Sequence, residues 1–164
     1  MTKVIARYQE TQVLGTNQGD RRSAGCYIMS RILVVDDDQL VRTAIELCLR
    51  RAGHEVVIAE GGEAGIRELQ SQAFDVMLVD IFMPRMRGFE SIRLFHEAAP
   101  QIPLVAISGY SFAALEIPGV DFQRMATDFG AARCLRKPFK PDTLLAVVAE
   151  CLVTTASRAQ RRPA

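Results

Sequence analysis

Apolar and polar positions fall into repeating blocks along the middle of this chain. Residues 32–35 are wholly apolar and rich in β-branched types, the pattern of a strand buried on both faces. Leu40, Val41, Ala44, Ile45, Cys48 and Leu49 then recur at helical spacing, and Gly53 supplies a stop. The same pair of patterns repeats. Strands are predicted at 56–59, 76–79, 104–107 and 133–136. Helices are predicted at 62–72, 89–98, 121–129 and 141–152. Ala64, Ile66 and Leu69 mark the apolar side of the second helix, and Pro141 suits the first turn of the last. Short apolar strands alternating with helices predict an α/β class, doubly wound fold with a parallel sheet. Right-handed crossovers leave few ways to arrange it.

The ends of the chain read differently. Residues 1–30 are polar, contain Gly15, Gly19 and Gly25, and show no sustained period. They are expected to form a flexible N-terminal extension, and Met29 offers an alternative translation start. The domain is expected over 31–153, with a short Arg-bearing tail over 154–164.

Composition sharpens this division. The 164 residues carry 20 Lys plus Arg and 19 Asp plus Glu, a net charge of +1. Residues 1–31 are net +3, residues 156–164 are net +3, and the stretch between is net −5. The neutral total thus covers an acidic body with two basic ends, and no segment is left for a dedicated DNA-binding domain. Cys26, Cys48, Cys134 and Cys151 have no zinc or redox spacing. No apolar run approaches a membrane span, and no secretory signal opens the chain, so the expected location is cytoplasmic and away from membrane.

The polar residues at the strand ends carry the candidate chemistry. Asp36, Asp37 and Asp38 follow the first strand, Asp80 the third, Ser108 the fourth and Lys137 the fifth. In a parallel sheet these are all carboxyl ends and share one rim, where ligands of open α/β sheets bind. Unpaired carboxylates there would repel, and an oxygen-only donor set favours Mg²⁺. Acids, a hydroxyl and a lysine together form a constellation suited to phosphoryl transfer. Each part has a plainer explanation. The three Asp residues could form a solvated turn and helix cap, and Ser108 beside Gly109 could be a turn residue. Lys137 could be a strand-end charge that Pro138 holds extended. Only their joint placement points to chemistry.

The stretches ILVVDDD (32–38), DVMLVDIFMPRMRGFE (75–90), LVAISGY (104–110) and CLRKPF (134–139) resemble the receiver domain of bacterial response regulators of the chemotaxis-regulator type. The resemblance covers about residues 31–153. It implies a flavodoxin-like sheet in the order 2-1-3-4-5. It also implies that Asp80 is the phosphoacceptor, served by a histidine kinase or histidine phosphotransfer protein. Asp36, Asp37 and Asp80 would hold Mg²⁺ with the backbone carbonyl of Phe82. Ser108 would be the switch hydroxyl and Lys137 the phosphate-binding lysine. Gly88 and Met83-Pro84 match the loop after the phosphorylation site, and Asp38 is expected to cap the first helix. A downstream protein partner would bind the face made by the fourth helix, fifth strand and fifth helix. Such a chain is a signalling phosphoprotein of a two-component system rather than an enzyme, although it assists its own phosphorylation and dephosphorylation.

Two features depart from that pattern. Cys134 stands where the family usually has an aromatic switch residue. The stretch between Ser108 and Lys137 is about seven residues longer than usual, with an apolar insertion centred on 111–120. Bulky Phe82 and Tyr110 flank the site and predict slow attack of water on an acyl phosphate. The main reading is a stand-alone receiver. The alternatives are a phosphorylation-independent interaction module and a haloacid-dehalogenase-type phosphatase. The second would use Asp36 and Asp38, with only Asp142 and Glu150 left to supply its last acidic motif.

Overall fold

The computed structural model describes residues 29–86, 88–109 and 122–159. Residues 1–28 of the expected 1–30 extension, Tyr110 and the 111–120 insertion lie outside the described residues. In chain order the elements are β1 (Arg31–Asp36), α1 (Gln39–Arg51), β2 (Glu55–Glu60), α2 (Gly62–Ser71), β3 (Val76–Asp80), α3 (Phe89–Ala98), β4 (Leu104–Ser108), α4 (Phe122–Asp128), β5 (Arg133–Arg136) and α5 (Pro141–Ala159). The five strands are parallel, in the order β2-β1-β3-β4-β5. This is the doubly wound arrangement and strand order that the sequence led us to expect.

The sheet separates two cores by the period-two alternation of strand side chains. Leu33, Val35, Met77, Val79, Leu104 and Ala106 face one side and pack with Ile92 and Phe95 of α3. Ile32, Val34, Val76, Leu78, Val105 and Ile107 face the other and pack with Ile45 and Leu49 of α1 and Leu144 and Val148 of α5. Burial on both faces explains why β1, β3 and β4 read as continuous apolar runs.

The differences from the sequence reading are informative. β1, β3 and β4 each run one residue further, to Asp36, Asp80 and Ser108. The polar residues at these ends are therefore strand positions, held by the sheet rather than by loops. α5 continues past 152 to Ala159, because residues 153–159 hold neither Gly nor Pro to stop it. Asp38 caps α1 as expected, accepting from the amides of Leu40 and Val41.

Gly65 was not singled out by periodicity, yet it is the closest approach of α2 to the sheet. A Cβ there would lie 2.8 Å from Val35 Cγ2 and 2.9 Å from the Phe95 ring, both fully buried. Gly65→Ala should gain up to about 1 kcal/mol in helix propensity. It should lose more, roughly 1–3 kcal/mol, by overpacking. We expect a lower urea midpoint for this variant, and an unchanged or higher midpoint would show that α2 can retreat freely.

Candidate functional site

Asp36 ends β1 and Asp80 ends β3, which are neighbours in the sheet. Their side chains are fully and almost fully buried, with 0% and 8% exposure. Lys137 follows β5, on the far side of β4. Its backbone amide donates to the Ser108 carbonyl at 2.8 Å, which closes the β4–β5 ladder at the Ser108–Arg136 pair. The Lys137–Pro138 peptide bond is cis. From this anchor the lysine side chain crosses the rim and donates to Asp36 Oδ2 at 2.7 Å and Asp80 Oδ2 at 2.6 Å. Each carboxylate also accepts a backbone amide two residues on. Asp38 N–H donates to Asp36 Oδ1 at 2.9 Å, and Phe82 N–H donates to Asp80 Oδ1 at 2.8 Å.

The third acid is placed differently. Asp37 is exposed, but it brings one carboxylate oxygen into a group with Asp36 and Asp80 in which the ligand atoms all lie within 4.8 Å of one another. Asp38 faces outward into its capping role, so the run of three aspartates divides into two cluster members and a cap. Ser108 is buried at the end of β4, one residue past the Asp80–Ile107 register pair. Gly88 precedes α3 with φ +56, and Phe82 is 36% exposed beside the site.

The electrostatics follow from burial. Desolvation pushes the Asp36 carboxyl above its ordinary range, while the bonds from Lys137 and the Asp38 amide pull the other way. For Lys137, burial by itself disfavours the ammonium. Its bonds to the two carboxylates outweigh that cost and leave its pKa above the usual lysine value. Two buried acids sharing one cation, with an exposed third acid alongside, form a compact oxygen-only donor set. That donor set fits a small hard divalent cation.

Cys134 lies on β5, partly buried against the core on the α3 side. Aromatic packing in this region comes from elsewhere. Phe89 at the start of α3 has its ring 5.5 Å from Phe122 and 5.6 Å from Phe129, at the two ends of α4. Sequence reading missed this trio because its partners are separated by the long insertion. It also missed Arg42, which is buried with Nη1 donating to the Asp36 carbonyl at 2.8 Å. Its signal was legible, since Arg42, Ile45 and Leu49 share one helical face.

A doubly wound parallel sheet with paired acids and a lysine at its carboxyl rim defines the class of this domain. The sequence profile described as "Response regulator receiver domain" matches residues 32–149, and the chain belongs to that family. It is 32% identical over 125 residues to the response regulator receiver protein CpdR of Brucella abortus, covering 76% of this chain and 98% of that protein. It is also similar to the response regulator protein FleR of Pseudomonas aeruginosa, at 32% identity over 120 residues and 73% of this chain. Over 81 residues, 49% of this chain, it is 40% identical to the CAI-1 autoinducer sensor kinase/phosphatase CqsS of Vibrio cholerae. The chain spans only 24% of FleR and 12% of CqsS. Among solved structures, a CheY-like receiver domain protein from Methanospirillum hungatei superposes with TM-score 0.69 at 26% identity, covering 79% of this chain and 98% of that one. NtrX from Brucella abortus gives TM-score 0.70 at 26% identity over 81% of this chain and 29% of its own. No described helix is long and apolar enough to cross a membrane.

The lysine bridge makes a pH-dependent prediction. Lys137→Met leaves Asp36 and Asp80 facing each other without their shared cation. At pH 8 we expect a loss of roughly 2–4 kcal/mol, less than for a wholly buried pair because part of the lysine is exposed. Asp36 has a folded-state pKa above its ordinary value, and losing Lys137 raises it further. A carboxyl shifted upward favours the folded state as it takes up a proton. The deficit should therefore shrink as pH falls from 8 to 5, as read by urea unfolding of parent and variant. A deficit that grows toward pH 5 would contradict the assignment.

Proposed function

We propose that this chain accepts a phosphoryl group on Asp80 from the phosphohistidine of a histidine kinase or histidine phosphotransfer protein. It would signal through an altered surface for a downstream protein, acting as a stand-alone response regulator. The observation that carries the reading is the Lys137 ammonium bridging Asp36 and Asp80 beside a third carboxylate. Asp80 attacks phosphorus, an Asp80 O–P bond forms as the P–N bond breaks, and the imidazole leaves with a proton. Asp36, Asp37 and Asp80, with the Phe82 carbonyl, would hold Mg²⁺, which supplies positive charge against the two approaching anions. Lys137 adds a second positive charge, and its flexible stem lets the ammonium turn from the carboxylates toward a phosphoryl oxygen. Ser108, at the end of the adjacent strand, supplies a hydroxyl donor for the new dianion. The surface that responds is the α4–β5–α5 face. Asp36 is a poor nucleophile for the phosphatase alternative, since its side chain is fully buried while that of Asp80 keeps some exposure.

Incubation with acetyl phosphate and Mg²⁺ should give a base-labile phosphoryl adduct by mass spectrometry, abolished in Asp80→Asn. A label that persists in Asp80→Asn and disappears in Asp36→Asn would favour the phosphatase chemistry. A folded protein with no adduct from a small donor or from candidate kinases would overturn the reading.

Cys134 lies outside the group of site carboxylates, so its role is separable from transfer. Cys134→Tyr should remain a substrate, with an adduct yield within about two-fold of the parent, since neither acid nor lysine is changed. Loss of labelling in a folded Cys134→Tyr protein would place Cys134 in the transfer machinery.

A further inference from the structure

Arg42 is a charged side chain turned into the body of the protein, and the rim chemistry described so far does not use it. It is 9% exposed and shares the inner face of α1 with Ile45 and Leu49. Burying a guanidinium is costly without compensation. The salt bridge nearby supplies little, because Nη2 lies 4.0 Å from Glu60, whose side chain is 79% exposed. The close contact is the other one, Nη1 to the backbone carbonyl of Asp36 at 2.8 Å.

That carbonyl sits where the sheet ends. The β1–β3 pairing stops at Val35–Val79, and the β1–β2 pairing ends at Asp36–Glu60, the last residues of both strands. A buried carbonyl at the last pair of a ladder, with no further strand residue to bond it, needs a donor from outside the ladder. Arg42 provides one from the first turns of α1, so the strand end and the helix start are tied across the turn that carries the aspartates.

Each neighbour in this turn has its own restraint. Asp36 is held at Oδ1 by the Asp38 amide and at Oδ2 by Lys137. Asp38 is held at Oδ1 by the Leu40 amide, and its carbonyl accepts from Arg42 N–H at 3.0 Å. Asp37 is the exception. Among the described residues none donates a hydrogen bond to its exposed carboxylate, yet one of its oxygens lies in the three-acid cluster. Its place there depends on the orientation of the peptide that joins it to Asp36.

We infer that Arg42 is a positioning residue: by bonding the Asp36 carbonyl it locks the Asp36–Asp37 peptide and holds the Asp37 carboxylate in the cation-binding cluster. This rests on the proposed Mg²⁺ reading of that cluster. Outer partners of metal ligands commonly govern affinity by about 10–100-fold when removed.

The test is titration of the full chain with MgCl₂ by isothermal calorimetry. Arg42→Met should weaken Mg²⁺ binding about ten-fold or more. Arg42→Lys, which keeps the charge but loses the fixed fork, should also weaken it, and this variant decides if Arg42→Met fails to fold. In an Asp37→Asn background, Arg42→Met should add less than about two-fold, because the ligand it positions is gone. Three results would overturn the inference. One is unchanged Mg²⁺ affinity in a variant of lower stability, which marks a structural role only. Another is tighter binding in Arg42→Met with Arg42→Lys unchanged, which marks plain charge repulsion. The third is full additivity with Asp37→Asn. A parent chain that takes up no Mg²⁺ would instead overturn the metal reading itself, and with it this inference.

Discussion

The ammonium of Lys137 is the constraint around which this domain is organised. It joins Asp36 and Asp80, which lie 101 and 57 residues away in the chain. Two buried carboxylates at adjacent strand ends repel each other, and a shared cation offsets that repulsion. That cation must come from outside the pair of strands, because β1 and β3 each end on an acid. β5 lies two strands away from β3, at roughly 9–10 Å by ordinary strand spacing. A long flexible side chain is suited to cross that gap, and the backbone bond from Lys137 to Ser108 gives it a firm base. The parallel order of the sheet, its registers and both helical layers serve to keep these ends level.

The acids at the rim form a gradient of exposure. Asp36 is sealed, Asp80 is nearly so, and Asp37 is open to solvent. Burial raises the pKa of Asp36, and the lysine bridge and the Asp38 amide oppose it. Positive charge is therefore already committed to the site before any ligand arrives. A cation or phosphoryl group that binds there enters an environment set up to compensate charge, and little reorganisation is needed.

Away from the rim, the aromatic packing joins α3 to α4. Phe89 packs tilted against Phe122 and stacked on Phe129, which ties α3 to both ends of α4. Phe89 begins α3 directly after the loop that leaves Asp80. His96 of α3 adds a contact at Gly130, where a Cβ would lie 2.6 Å from its ring. α4 thus packs against α3 as well as against β5. The chain matches nearly the full length of CpdR and only a fraction of FleR and CqsS, so the same domain serves in proteins of very different length.

The sequence by itself determined the class of fold, the order of the elements and the identities of the rim residues. Strands buried on both faces are written as uninterrupted apolar runs, and parallel topology places every strand's carboxyl end on one edge. Legibility fell where contacts are long-range. Nothing local marks Gly65 as the point of closest helix-to-sheet approach, or Phe89 as the partner of rings more than thirty residues away. Periodicity placed Arg42 on an inner helical face but could not say which carbonyl it would meet. The division of three consecutive aspartates into a buried cluster member, an exposed cluster member and a helix cap was decided by the tertiary structure. The end of the β1 ladder, the start of α1 and a lysine from the other side of the sheet all act on that one turn, and neighbouring residues in sequence do not specify them.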